Sequence, residues 1–223
     1  MSEVSGTEPW RPRVLSRGGR LARVALVQSR ASLLGGDEAR IEIDLDRGAA
    51  VEIVELGATV AHHARGGPAA RVCVQARLRP GARLVWLAQP LIAAGGCALV
   101  RETRIELAAA AGVLLRETLV LGREGEEPGA VRSHTRIVLD GRPVVEEAIE
   151  TAPAWLLRSI LVVGQARMID SLTLAGLRDP SPPPTALQAH EAATLWRRIG
   201  PARVGDGDPP VGRWRGLVLG DGP

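Results

Sequence analysis

Four carboxylates stand inside otherwise apolar, strand-like segments: Glu55, Glu102, Glu117 and Glu146. Such a residue has two readings. It points outward from an amphipathic strand and is solvated. Or it lines an interior path on which a divalent cation is held weakly at several stations and released again, as in ion conduits. A second candidate for metal is the pair His62-His63. Imidazole is a good ligand for nickel and its neighbours in the first transition row. Adjacent residues on a strand face opposite ways, so the pair converges on one ion only in a turn. The alternative is a polar loop ahead of Gly66-Gly67-Pro68. His134 falls in a strand pattern and His190 sits beside Glu191. The motifs that organise nucleophiles and phosphates are missing. There is no G-x-S-x-G elbow, no Walker A loop, and no G-x-G-x-x-G after a strand. Gly35-Gly36 and Gly95-Gly96 read as turns. The sequence therefore points away from an enzyme.

The elements that must position these groups are short strands. Leu21–Gln28, Arg40–Leu45, Ala49–Leu56, Arg71–Leu78, Ala82–Leu87, Leu99–Leu107, Gly112–Leu121, Val131–Leu139 and Val144–Ile149 are rich in branched residues and alternate in polarity. In Arg40–Leu45, Ile41, Ile43 and Leu45 share one face while Glu42 and Asp44 take the other. Strand pairs recur at intervals of about 30 residues. Their turns are Leu45-Asp-Arg-Gly48-Ala49, Leu78-Arg-Pro-Gly81-Ala82 and Leu107-Ala-Ala-Ala110-Ala111. Asp140-Gly141 is a hairpin signal of its own. The expected fold is mainly β: stacked layers of short strands, either β-helix-like or an open sandwich, with one or two helices near the C-terminus.

Residues 1–19 are rich in Gly, Pro, Arg and Ser and read as a flexible start, so that 20–223 forms a single β domain. Trp155–Val163 is apolar on nearly all sides and fits a buried helix or a strand. After Pro182-Pro-Pro184, Thr185 and Gln188 form a capping box. Leu187, Leu195 and Ile199 then fall on one stripe before Gly200-Pro201, which predicts a helix over about 186–199. Arg213–Leu219 reads as a last strand or a tail.

The composition bounds the function. All 28 basic residues are Arg, and they are interleaved with acids to a net charge of only +3, without the basic block that nucleic acid requires. Arg suits planar, bidentate contact with carboxylates on partner surfaces. No signal peptide and no apolar run of membrane-spanning length is seen. Cys73 and Cys97 lack C-x-x-C spacing and read as reduced, buried thiols, which suggests the cytoplasm. Aromatic residues make up 2%, five Trp with no Phe or Tyr. Two stretches suggest protein contacts: Trp86 to Ile92, with Gln89 and Pro90, and the Trp196-Arg197-Arg198 run, since Trp and Arg are common interface anchors. Core packing is the alternative for both Trp.

Leu34-Gly35-Gly36-Asp37 followed by Ile41-x-Ile43 and Gly48-Ala49 resembles the opening of the UreD (UreH) family of urease accessory proteins. Leu84-Val-Trp86-Leu87-x-Gln89-Pro90-Leu-Ile92 is similar to that family's most recognisable segment. Arg101-x-Thr103-Arg104-Ile-Glu-Leu107, Leu121-Gly122-Arg123 with Glu126 and Gly129, and Asp140-Gly141-Arg142-Pro143 continue in the family's order. The resemblance covers residues 20 to 175. It departs at Val54–His62, where relatives often carry a polar Thr-Thr-Gln run and only Ala58-Thr59 survives here. The chain is also shorter than many relatives.

The resemblance implies a mainly β scaffold that is not a catalyst. It would bind the partner UreF, through it the GTPase UreG, and dock on apo-urease. It would hold no tightly bound cofactor, with nickel in transit only. On that reading Glu102, Glu117, His62 and His63 are the candidates for a transient nickel path. Trp86, Gln89, Pro90, Trp196 and Arg197 are the candidates for partner binding. Two rivals stay open: a stand-alone β module that binds small molecules, and a small β hydrolase or isomerase using His134 with a strand carboxylate.

Overall fold

The computed structural model describes residues 2–30, 32–159, 163–201 and 209–220. In chain order the elements are β1 (Glu3–Gly6), β2 (Trp10–Gly18), β3 (Leu21–Gln28), β4 (Ser32–Leu33), β5 (Glu38–Leu45), β6 (Ala50–Glu55), β7 (Thr59–Ala61), β8 (Ala70–Leu78), β9 (Arg83–Leu87) and β10 (Leu91–Ala93). They continue with β11 (Ala98–Leu107), β12 (Gly112–Leu121), β13 (Ala130–Leu139), β14 (Arg142–Glu150), α1 (Ala154–Leu157), β15 (Met168–Ala175), β16 (Ala186–Gln188), β17 (Ala193–Gly200) and α2 (Val211–Leu219).

Parallel pairing decides between the two expected architectures. One sheet runs β1-β5-β8-β11-β13-β14 and the other β16-β17-β15-β12-β9-β6-β3-β2. In the first, β5, β8, β11 and β13 are parallel neighbours. In the second, β3, β6, β9 and β12 are parallel neighbours. The chain therefore climbs: β5 turns into β6, β8 into β9 and β11 into β12, each coil one strand above the last. Short strands β4, β7 and β10 form a third face that ends on the second half of β12. The middle is thus a β-solenoid, with antiparallel strands added at both ends.

The repeated turns stack as a ladder. The Gly48 N–H donates to Pro80 O at 3.1 Å and the Gly81 N–H to Ala109 O at 3.1 Å. The corner of each turn needs a positive φ, met by Gly48 (67°), Gly81 (72°) and, without glycine, Ala110 (56°).

Alternation builds the core between the sheets. Ile41, Ile43 and Leu45 of β5 face Val51 and Ile53 of β6, and the same two rows recur in every coil. The outer face of the six-stranded sheet is charged and solvated. The outer face of the larger sheet is not. Val85, Leu114, Leu172, Leu174 and Trp196 form a second apolar layer there, covered by Trp214 and Val218 of α2. The Trp214 indole N–H donates to Asp179 at 2.7 Å and Arg215 pairs with Glu52 at 2.8 Å, which fixes the helix to the sheet. Burial pushes the Asp179 carboxyl up, but Arg213, the Ser181 N–H and the indole together outweigh it, and the net shift is downward.

Three expectations change. Residues 1–19 carry two paired strands: β1 continues one sheet beside β5 and β2 the other beside β3. The helix expected over 186–199 is the β16–β17 hairpin, in which Leu187 and Leu195 are cross-strand partners. Spacings of eight and four satisfy a helical stripe, but residues 195 and 199 also share a strand face, and the open edge of β15 recruits the segment. Arg213–Leu219 lies within a helix instead of a strand. Of Trp155–Val163, the start falls in α1, and residues 160–162 lie outside the described residues.

Candidate functional site

A stripe of polar side chains runs through the solenoid between its two apolar rows. Each comes from a strand position whose neighbours two residues away are core. Glu55 ends the row Val51, Ile53 on β6. Arg101 and Thr103 interrupt Leu99 and Ile105 on β11. Glu117 stands between Leu115 and Leu119 on β12. Thr135 precedes Ile137 on β13, and Ser171 follows Ile169 on β15. Since successive side chains take opposite faces, parity alone sends all of them inward.

The contacts fall in three groups along the stripe. At one end the Trp86 indole N–H donates to Glu55 Oε1 at 2.7 Å and the Gln89 backbone N–H to Glu55 Oε2 at 3.0 Å. Burial raises the Glu55 carboxyl above the usual range, partly offset by those two donors and by the charge of Arg101. In the middle Arg101 pairs with Glu117 at 2.8 Å, their side chains only 13% and 17% exposed. The Thr135 hydroxyl donates to Glu117 at 2.9 Å and the Thr103 hydroxyl reaches it at 3.4 Å. At the far end Arg197 pairs with Glu147 and donates to the Ser171 hydroxyl at 3.0 Å.

Two small cavities lie along this seam. The first, ≈ 40 Å³, is walled by Trp10, Glu55, Trp86, Gln89 and Arg101 among others. The second, ≈ 20 Å³, is walled by Arg101, Glu117, Ser133, Thr135 and Glu147 among others. They have room for a few water molecules, not for an organic ligand of several hundred Å³. Leu91 and Arg101 belong to both walls. The Trp10 indole N–H, buried in the first wall, has no hydrogen-bond partner among the described residues.

Of the residues singled out from sequence, Glu117 lies in this seam. Glu102 does not: it is exposed on the outer face of the smaller sheet, in register with Cys73 and His134. His62 and His63 follow β7 on the third face. The His62 N–H donates to Leu33 O at 2.9 Å. The His63 Nδ1 accepts the Arg65 N–H at 2.8 Å, and its ring packs against Gly96 so closely that a Cβ there would clash with it. Among the described residues no group of three or more His, Cys, Asp or Glu is placed to hold a metal ion. Trp86 and Trp196 are 2% and 6% exposed and belong to the two cores. Gln89 and Arg197 are exposed and Pro90 is half-buried. Glu55, one of the four strand carboxylates noted from sequence, also lies in the seam, while Glu146 lies on the outer face and is exposed. Arg101 was not among the sequence candidates, although its phase with the apolar row marks it.

A family model described as UreD urease accessory protein matches residues 11–218. The chain belongs to the UreD family of urease accessory proteins. It is 38% identical over 164 residues to urease accessory protein UreD 1 of Streptomyces griseus, covering 72% of this chain and 63% of that one. UreD 2 of Saccharopolyspora erythraea is 35% identical, covering 83% of this chain and 66% of the relative. UreD of Streptomyces coelicolor is 33% identical over 205 residues, covering 90% of this chain and 80% of its own. This UreD chain thus spans about two thirds of the first two relatives. No helix among its described residues is long and apolar enough to cross a membrane.

Proposed function

We propose that this chain is a scaffold for urease maturation which binds UreF, UreG and the urease apoprotein and passes nickel along its interior seam. Family membership supports the role in urease maturation. The observation that carries the nickel reading is the row of carboxylates, Glu55, Glu117 and Glu147, at core-facing positions where an apolar side chain would fill the same space. All three are largely withdrawn from water and each needs its own donors to be held there, so three in line are a poor way to build a core. Weak stations without a closed ligand set suit an ion that must leave again. Glu55 and Glu117 are retained from the strand carboxylates read in sequence, Glu147 joins them, and Glu102, outside the seam, becomes the control position.

Two experiments test this. Co-expression with UreF and UreG, followed by pull-down and size exclusion, is expected to give a complex of defined stoichiometry; a well-behaved monomer that ignores both partners refutes the scaffold. In cells making urease on limiting nickel, Glu117→Gln is expected to lower urease activation by about tenfold or more, the scale on which loss of a metal-site partner is felt. Glu102→Gln is expected to leave it unchanged. Equal activation by both variants removes the seam from the path.

A further inference from the structure

We infer that Arg101 is a tethered cation that closes the seam: its guanidinium holds the place beside Glu117 that a divalent ion takes in passing. The inference rests on the proposed nickel path and names the device that opens and shuts it.

Three observations carry it. First, Arg101 stands where the two cavities meet, since it and Leu91 are the residues common to both walls. An ion crossing from the Glu55 side to the Glu117 side passes the guanidinium. Second, Arg101 is held by charge in a nearly closed space, bonded to Glu117 at 2.8 Å, while its field also reaches Glu55 on the other side. It therefore lies between two carboxylates supplied by β6 and β12. Third, the other polar side chains bonded to Glu117 are hydroxyls. The hydroxyls of Thr103 and Thr135 turn their hydrogens to the carboxylate now. A hydroxyl rotates freely and offers lone pairs to a cation instead. Oxygen donors suit nickel less well than imidazole does, so a carboxylate with two hydroxyls holds the ion loosely enough to release it.

Stability does not account for the pair. Desolvation of two charges roughly cancels their attraction, and apolar pairs of the same volume often do as well or better. Charge explains it. Along the seam Glu55, Glu117 and Glu147 face Arg101 and Arg197, leaving one net negative charge. A divalent ion added beside an unmoved Arg101 meets a like charge a few ångströms away in a medium of low dielectric, where such repulsion is large. The ion enters only as the guanidinium leaves Glu117, and Glu55 is the acceptor that receives it. Nickel thus exchanges with a side chain and does not fill a vacancy, so neither carboxylate is ever left bare.

The test uses the full chain, purified alone or with the partner that keeps it in solution, and Ni²⁺ as the probe. Wild type, Arg101→Gln and Arg101→Gln/Glu117→Gln are compared by equilibrium dialysis and by thermal unfolding with and without Ni²⁺. Arg101→Gln is expected to bind Ni²⁺ at least tenfold more tightly than wild type, and to regain on adding it the melting temperature lost with the arginine. The double variant is expected to lose both effects. If Arg101→Gln binds no more tightly than wild type, the gate is refuted. If it does not fold alone, it is refolded with Ni²⁺, and failure to refold refutes the gate as well. The path stands or falls separately, on the response of urease activation to Glu117→Gln. Activation lost in that variant without tighter binding in Arg101→Gln means a path with no gate. Tighter binding with normal activation means a cation position that nickel delivery does not use.

Discussion

Glu126 shows how much one side chain organises. Its carboxylate accepts the Gly95 N–H at 2.9 Å, the Arg123 N–H at 3.2 Å and the Arg123 Nε–H at 3.0 Å. It thereby clips the turn after β12 to the turn after β10. The Arg123 guanidinium first, and then the Gly95 N–H, lower its pKa from 4.5 to about 2. A depressed carboxyl stabilises the fold fully above its unfolded value, and that stabilisation fades as pH falls through the folded one. The expected result is an acid limb between about 4.5 and about 2, flattened in Glu126→Gln and read as melting temperature against pH. An unaltered limb in the variant overturns the assignment. The same scale shows what sequence conveyed about the seam. Glu102 and Glu117 are both acids in strands, yet Glu102 is in phase with Arg104 and Glu106, whereas Glu117 is in phase with Val113, Leu115 and Leu119. Parity was legible; composition without parity was not enough to tell the two apart.

At the scale of elements the turns were legible and the C-terminal region was not. The three turns read from sequence are the ladder of the solenoid, because each must supply the same corner with the same conformation. Ala110 is the exception that tests this. An L-residue in the left-handed region costs about 1–2 kcal/mol, against which glycine's freer unfolded chain costs about 0.4–1 kcal/mol. Ala110→Gly is therefore expected to raise stability by about 0.5–1 kcal/mol, measured as a higher denaturant midpoint with unchanged slope. A lower midpoint overturns the strain argument. The corner has nothing to do with the seam, so activation is expected to be unaffected. The end of the chain escaped prediction for a physical reason. α2 carries glycines at 212 and 216 and little intrinsic helix preference; it is helical because Trp214 finds the apolar outer face of β9 and β12. That surface exists only after the coils have stacked. The β16–β17 hairpin likewise depends on the edge of β15, which no local window contains.

The whole molecule is a stack whose members mostly hold their neighbours. Stability in such an array is a sum of coil and interface terms, so the ends open before the middle. Amide hydrogen exchange is expected to be slowest in β8, β9, β11 and β12, which have partners on both sides. It is expected to be fastest in the edge strands β1, β2, β14 and β16. Uniform exchange along the chain would mean that both sheets open as one unit. The middle is also where Arg101 and Glu117 sit, so the proposed gate works in the stiffest part of the protein, and a side chain must move while the backbone stays still.

The scarcity of aromatic residues has an optical consequence. With no Tyr and no Phe, near-ultraviolet absorption and emission come from five Trp alone. Two of them, Trp10 and Trp86, wall the first cavity, and the indole of Trp86 is bonded to the Glu55 carboxylate. Indole fluorescence responds to the charge of a bonded carboxyl and is quenched by a nearby paramagnetic ion. The protein therefore carries a native dye at one end of its seam, through which the state of Glu55 can be watched without any label.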